Sequence, residues 1–229
     1  MAGGRKRFRS YTYKPRSKRS RAIVKKKRKS RAWQKKLCGF KKSCKVKLRY
    51  CTYFDLTYTA SSATCAPYKF ALNGLFDPDL SGVGHQPMFF DQYKELYQKY
   101  RVVGAKITVN YRGISFSACP LFGMTISTDD VLQTNDPESL PENPGSTWVN
   151  ANRKTVVEKI TRKVGIGKYL KQMKSDNTQA SVTANPTTLL YAHCWAHDVG
   201  NLTTNRTIKC MATVEYSVIF WDLESVTGS

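Results

Sequence analysis

The side chains best equipped for chemistry are cations gathered near the N-terminus. Arg5, Lys6, Arg7 and Arg9 surround Phe8; Lys14, Arg16, Lys18, Arg19 and Arg21 follow; Lys25, Lys26, Lys27, Arg28 and Lys29 form an unbroken run; Arg31, Lys35 and Lys36 trail behind it. Clusters of this kind neutralise phosphates and release counterions, an interaction indifferent to base sequence. Phe8, Tyr11, Tyr13 and Trp33 lie among the charges. Aromatic rings beside Lys and Arg stack on unpaired bases, which favours a single-stranded target. Lys18, Arg19 and Arg21, followed by Lys25, Lys26, Lys27, Arg28 and Lys29, also fit a nuclear-import signal, a pattern that any polycation matches.

The charge arithmetic separates this arm from the rest of the chain. Of 38 Lys and Arg residues, 22 lie in residues 1–49, where there is no carboxylate before Asp55. The remaining 16 are balanced by all 16 Asp and Glu residues, so the formal charge of +22 belongs entirely to the first 49 residues. Twenty-two cations with no acid among them repel one another and require a polyanion as partner.

Other chemistry is thinly represented. His193-Cys194-Trp195-Ala196-His197 resembles a metal site only if it is helical. Its flanks, Leu189, Leu190 and Tyr191, read as a strand, where the two His stand about 13 Å apart, so a structural pair is expected. Cys38, Cys44 and Cys51 lack the two- to four-residue gap of common zinc sites, and Gly165-Ile166-Gly167-Lys168 lacks the remaining residues of a phosphate loop. No Gly-x-Ser-x-Gly occurs, and three His in all leave few candidates for a catalytic triad. The expectation is a protein that is not an enzyme and uses no metal or cofactor. Seven Cys without regular spacing read as free thiols in a reducing compartment. No apolar run reaches the roughly 18 residues of a membrane span, and nothing resembles a secretory signal; a soluble protein without a membrane partner is expected.

The elements that must carry these residues are mostly strands. Val46, Leu48, Tyr50, Thr52, Phe54, Leu56 and Tyr58 alternate with polar neighbours, as do Ile208, Cys210, Ala212, Val214, Tyr216, Val218 and Phe220. Period two over such lengths marks half-buried strands. Shorter segments near 67–72, 102–111, 119–127, 154–164, 165–170 and 188–197 bring the expected number to eight. One helix is expected after Pro87, with Asp91 near its positive end and Phe90, Tyr93, Tyr97 and Tyr100 at helical spacing as a core stripe. Turn-rich connections span roughly 73–86, 128–153 and 171–187. Eight strands with long loops suit an all-β two-sheet sandwich, jelly roll or immunoglobulin-like. Residues 1–42 form the basic arm, too polar to fold alone and expected to be disordered; residues 43–229 form the β-body.

One stretch carries a resemblance. Phe70-Ala71-Leu72-Asn73-Gly74-Leu75-Phe76-Asp77-Pro78-Asp79, then Gly84-His85-Gln86-Pro87, Asp91-Gln92 and the run from Tyr97 to Ile107 resemble capsid proteins of circovirus-like viruses, which carry circular single-stranded DNA. The order of basic arm, strand, turn-rich loop with a short helix, and further strands matches that family too, although this arm is richer in Lys. The resemblance implies an eight-stranded jelly roll with a short helix in one long loop. It also implies copies of the chain closing into a T=1 icosahedral shell of about sixty subunits, with the arm binding a single-stranded DNA genome inside. Virion and host nucleus are then the expected locations, with nuclear-import machinery and an attachment receptor as host partners. The alternatives are a cellular nucleic-acid-binding protein of ribosomal or chromatin type and a shell that packages RNA.

Overall fold

Alternation of apolar and polar residues along Ser43–Tyr58 makes strand β1, and the same alternation along Arg206–Leu223 makes β9; the two pair antiparallel over their whole length, from Ser43 opposite Trp221 to Tyr58 opposite Arg206. The computed structural model describes residues 41–58, 66–82, 84–112, 121–132, 138–150, 157–171, 176–197 and 206–224. Apart from Lys41, every residue described belongs to the unit Lys42–Ser229.

The remaining strands are β2 (Tyr68–Ala71), β3 (Tyr97–Arg112), β4 (Leu121–Ser127), β5 (Ser146–Asn150), β6 (Val157–Gly165), the two-residue β7 (Ala180–Ser181) and β8 (Tyr191–His197). Sheet one has the order β1-β9-β3-β6, with β7 against β3, and sheet two the order β2-β8-β4-β5. Every pairing is antiparallel, and the partners nest: β1 with β9, β2 with β8, β3 with β6, β4 with β5. A long hairpin rolled up so that its arms fall alternately in two facing sheets is a jelly roll. The immunoglobulin-like alternative is thereby excluded.

Three local expectations are corrected. The helix, α1, spans only Phe90–Lys94, and Tyr97 and Tyr100 lie on β3. The four rings still meet, because Phe220 of β9 sits among them at 5.0–6.2 Å, stacked on Tyr93. Segment 165–170, expected as a strand, holds the short helix α3 (Ile166–Tyr169). The connection after β4, expected as one long loop, contains α2 (Ser139–Glu142) and β5. Among the described residues no helix is long and apolar enough to cross a membrane.

The core lies between the sheets and is rich in tyrosine. Tyr50, Tyr100, Tyr111 and Tyr216 are fully buried, and each hydroxyl donates to a fixed partner: Asp79 Oδ2 at 2.9 Å, Ala184 O at 3.0 Å, Gly123 O at 2.6 Å and Ala71 O at 2.9 Å respectively. A buried ring contributes roughly 1.5–3 kcal/mol of apolar stabilisation, and its satisfied hydroxyl avoids the cost of an orphaned polar group. Burial pushes the Tyr100 hydroxyl up to about 12, so it stays protonated and keeps donating.

These hydroxyls also fasten the loop that carries the resemblance. Asn185 Oδ1 accepts from the backbone N–H groups of Phe76 and Asp77, and Asn73 bridges Thr188 O and the Leu190 N–H, both at 2.8 Å. A Cβ at residue 74 would stand 2.7 Å from Asn185 Oδ1 and push that amide from its place, so glycine fits here. The run from Asn73 to Asp79 is therefore a packed corner of the fold.

Candidate nucleic-acid interface

The arm residues from Arg5 to Lys36, the import-type clusters among them, lie outside the described residues, as does Cys38. The described chain takes up the same chemistry at Lys41 and Lys42, both exposed, and carries it into β1.

In β1 the even-numbered residues face the core, so Lys45, Lys47 and Arg49 point outward from sheet one. Register then fixes their neighbours. Arg49 faces Glu215 on β9, which faces Lys106 on β3, which faces Lys163 on β6. One end of the same face carries Lys209 opposite Arg112, and the other carries Lys99 and Arg101. With Lys159, ten cations share this surface with three carboxylates, Asp55, Glu215 and the Asp222 that pairs with Lys99, giving a net of seven positive charges.

All three carboxylates are already engaged. Glu215 accepts from Arg49 at 3.0 Å and Lys106 at 3.3 Å, and Lys106 above all, then Arg49, holds its carboxyl below the usual range. Asp55 pairs with Lys209 at 2.6 Å, and Asp222 of β9 pairs with Lys99 at 3.0 Å. Lys45, Lys47, Arg112, Lys159 and Lys163 have no ion-pair partner among the described residues.

Two aromatic rings lie on this face. Tyr53 is 71% exposed, and the half-buried Trp221 has the Arg101 guanidinium 5.5 Å from its ring centre. Tyr53, Asp55, Arg112, Lys209 and Met211 line an open depression at one end.

The opposite side of the sandwich is built differently. On β8, His193, Trp195 and His197 are buried on the outer side of sheet two. Trp195 packs with Leu121, Leu132 and Leu140 and donates from Nε1 to Thr125 Oγ1 at 2.9 Å. Gly123 lies beneath it, where a Cβ would meet the indole at 2.0 Å. His193 Nε2 donates to Asp129 O at 2.9 Å, tying the connection after β4 onto the sheet, and Lys69 pairs with Asp130 at 2.7 Å. The exposed acids Asp129, Asp130, Glu138 and Glu142 lie along this connection. In an extended strand His193 and His197 stand about 13 Å apart.

Cys44, Cys51, Cys194 and Cys210 form no disulfide; burial pushes the Cys194 thiol far up, which leaves it unreactive. Gly165-Ile166-Gly167-Lys168 opens α3 instead of cradling an anion.

Sequence reasoning missed the outward face of sheet one. Each strand contributes only one to four cations, and they become one surface only through the order β1-β9-β3-β6. The available signal was the cation at every second position in Lys45, Lys47 and Arg49.

No protein-family model matches the chain, and no curated protein does. Among solved structures the chain is similar to a decameric BFDV capsid protein, at 12% identity over 78% of this chain and 98% of that one, with a TM-score of 0.44. It is similar to Mud crab tombus-like virus at 11% identity, over 86% and 100%, TM-score 0.46. It is similar to tobacco necrosis virus at 11% identity, over 81% and 85%, TM-score 0.48.

Proposed function

We propose that the chain is a viral capsid protein whose jelly-roll bodies close into an icosahedral shell of about sixty copies. Residues 1–42 lie within the shell and condense a single-stranded DNA genome. The observation that carries this reading is the segregation of charge: 22 cations without an acid in residues 1–49, joined to a chain whose other residues sum to zero. Bodies of small net charge meet as neighbours without strong mutual repulsion, while an arm this cationic needs a polyanion in stoichiometric amount. The rings among the arm's cations support a single strand, and DNA, in place of RNA, follows from the resemblance of residues 70–107 alone. The clusters Lys18 to Arg21 and Lys25 to Lys29 then serve nuclear import before assembly, and the protein ends in the virion.

Native mass and nuclease sensitivity test this. The expected species is a megadalton particle whose contents, once released, are degraded by DNase and spared by RNase. Contents degraded by RNase would make it an RNA shell. A species of tens of kilodaltons would assign the chain to cellular nucleic-acid binding.

A further inference from the structure

We infer that the outward face of sheet one is a second nucleic-acid site, distinct from the arm, which holds a single strand across β1, β9, β3 and β6. This rests on the packaging reading and extends it from a sequence-blind tether to a surface with shape. Three observations carry it.

The first is electrostatic cost. Lys106 stands directly opposite Lys163, and Arg112 directly opposite Lys209. Like charges in directly opposed positions destabilise a sheet. The three carboxylates on the face are already engaged by Arg49, Lys106, Lys209 and Lys99, which leaves Lys163 and Arg112 facing a cation each. A surface that keeps such pairs is suited to an external anion of high charge density, and the phosphates of a nucleic-acid strand supply one.

The second is the placement of rings. Tyr53 lies opposite Met211, ten residues along β9 from Trp221, so the two rings mark a span of about 33 Å. Cations lie between them, with the hydroxyls of Thr108, Thr161 and Thr213 as further polar contacts. Stacking platforms set along a cationic groove are how sheets hold unpaired strands of roughly 4–16 nucleotides. Arg101 covers one side of the Trp221 ring and steadies it for a base on the other.

The third is continuity. The arm's run of cations does not stop where β1 begins but passes through Lys41, Lys42, Lys45, Lys47 and Arg49, so a strand held by the arm is delivered onto the face. The competing occupant is the acidic connection of a second copy. Its sequence offers five carboxylates, one already paired with Lys69, against a net of seven charges, and it leaves the two rings unexplained.

The test uses the full-length chain with a 20-nucleotide oligothymidylate, and with the same oligonucleotide carrying 5-iodouracil for photo-cross-linking. Adducts are expected on peptides containing Tyr53 and Trp221. The triple variant Lys47→Gln, Arg112→Gln, Lys163→Gln should flatten the dependence of log affinity on log salt by about 2, from about 0.7 per lost phosphate contact. Its melting temperature should not fall, because Gln at 112 and 163 relieves the opposed cations. Changing Lys25–Lys29 to Gln should flatten the slope further while leaving the Tyr53 and Trp221 adducts in place. Adducts confined to Phe8, Tyr11, Tyr13 and Trp33, with an unchanged slope in the triple variant, would overturn the inference and leave the packaging reading intact. Cross-links between Lys47 or Lys163 and the acids of a second copy, surviving nuclease treatment, would overturn it in favour of an interface between copies. Absence of any oligonucleotide binding by the unaltered chain would remove both.

Discussion

His193 shows how one side chain ties a loop to a sheet and makes the tie sensitive to acid. Its Nε2–H is committed to Asp129 O, and Nδ1 has no hydrogen-bond partner among the described residues. Burial pushes its pKa below the ordinary 6.5, and the Lys69 ammonium adds to this. The Asp129 carbonyl and the Asp130 and Asp129 carboxylates oppose it. A group held neutral in the fold means that, below pH 6.5, the unfolded chain binds a proton the folded chain refuses, so its contribution to stability is lost as pH falls from 6.5 through the depressed value. The melting temperature should therefore drop on acidification through that window, and His193→Gln should remove that part of the drop. An equal drop in the variant would assign the loss to carboxylates elsewhere. The neighbouring pair Asp77 and Asp79 divides its protons by environment. Burial, then the neighbouring Asp79, raises Asp77; Asp79 is buried too, but hydrogen bonds from Ser81 and Tyr50 outweigh that and lower it.

At the scale of elements, β1 requires nothing N-terminal to Ser43 for its pairing, since its whole ladder is with β9. Deleting residues 1–42 should leave a cooperative melt within a few degrees of the full-length value, followed by circular dichroism at 218 nm; loss of the sheet signal would make the arm part of the fold. β1 and β9 were legible in the sequence because one side of each is buried and the other wet, the condition that writes period two into a strand. β5 was not, because Ser146–Asn150 is five residues long with none fully buried. Segment 165–170 misled because a short apolar run does not separate strand from helix. The stripe from Phe90 to Tyr100 misled in a more instructive way. Core packing was read correctly, but the partner that gathers those rings, Phe220, lies more than a hundred residues away, and no local period records it. The arm's chemistry was legible from composition alone, whereas the cationic face exists only once four strands are placed side by side.

At the scale of the whole molecule, charge sets the load. About sixty chains, each of net charge +22, carry roughly 1,320 positive charges, and single-stranded nucleic acid carries about one negative charge per nucleotide, so the packaged strand should be on the order of one to two thousand nucleotides. Replacing Lys25–Lys29 with Gln removes about 300 charges from such a particle and should lower the nucleotides per particle, measured by phosphate-to-protein ratio, while the shell persists. A constant ratio across a series of such variants would rule out charge matching as the mechanism. The nested pairing has a further consequence, in time. Arg49 and its partner Glu215 are separated by 166 positions, so during synthesis β1 leaves the ribosome long before β9 exists, an interval on the order of ten seconds or more at about 5–20 residues per second. Throughout that interval Val46, Leu48 and Tyr50 have no sheet to join, which is the condition under which unpaired strands aggregate. Lys45, Lys47 and Arg49, interleaved with them, act as gatekeepers that keep the waiting strands of neighbouring nascent chains apart until β9 arrives.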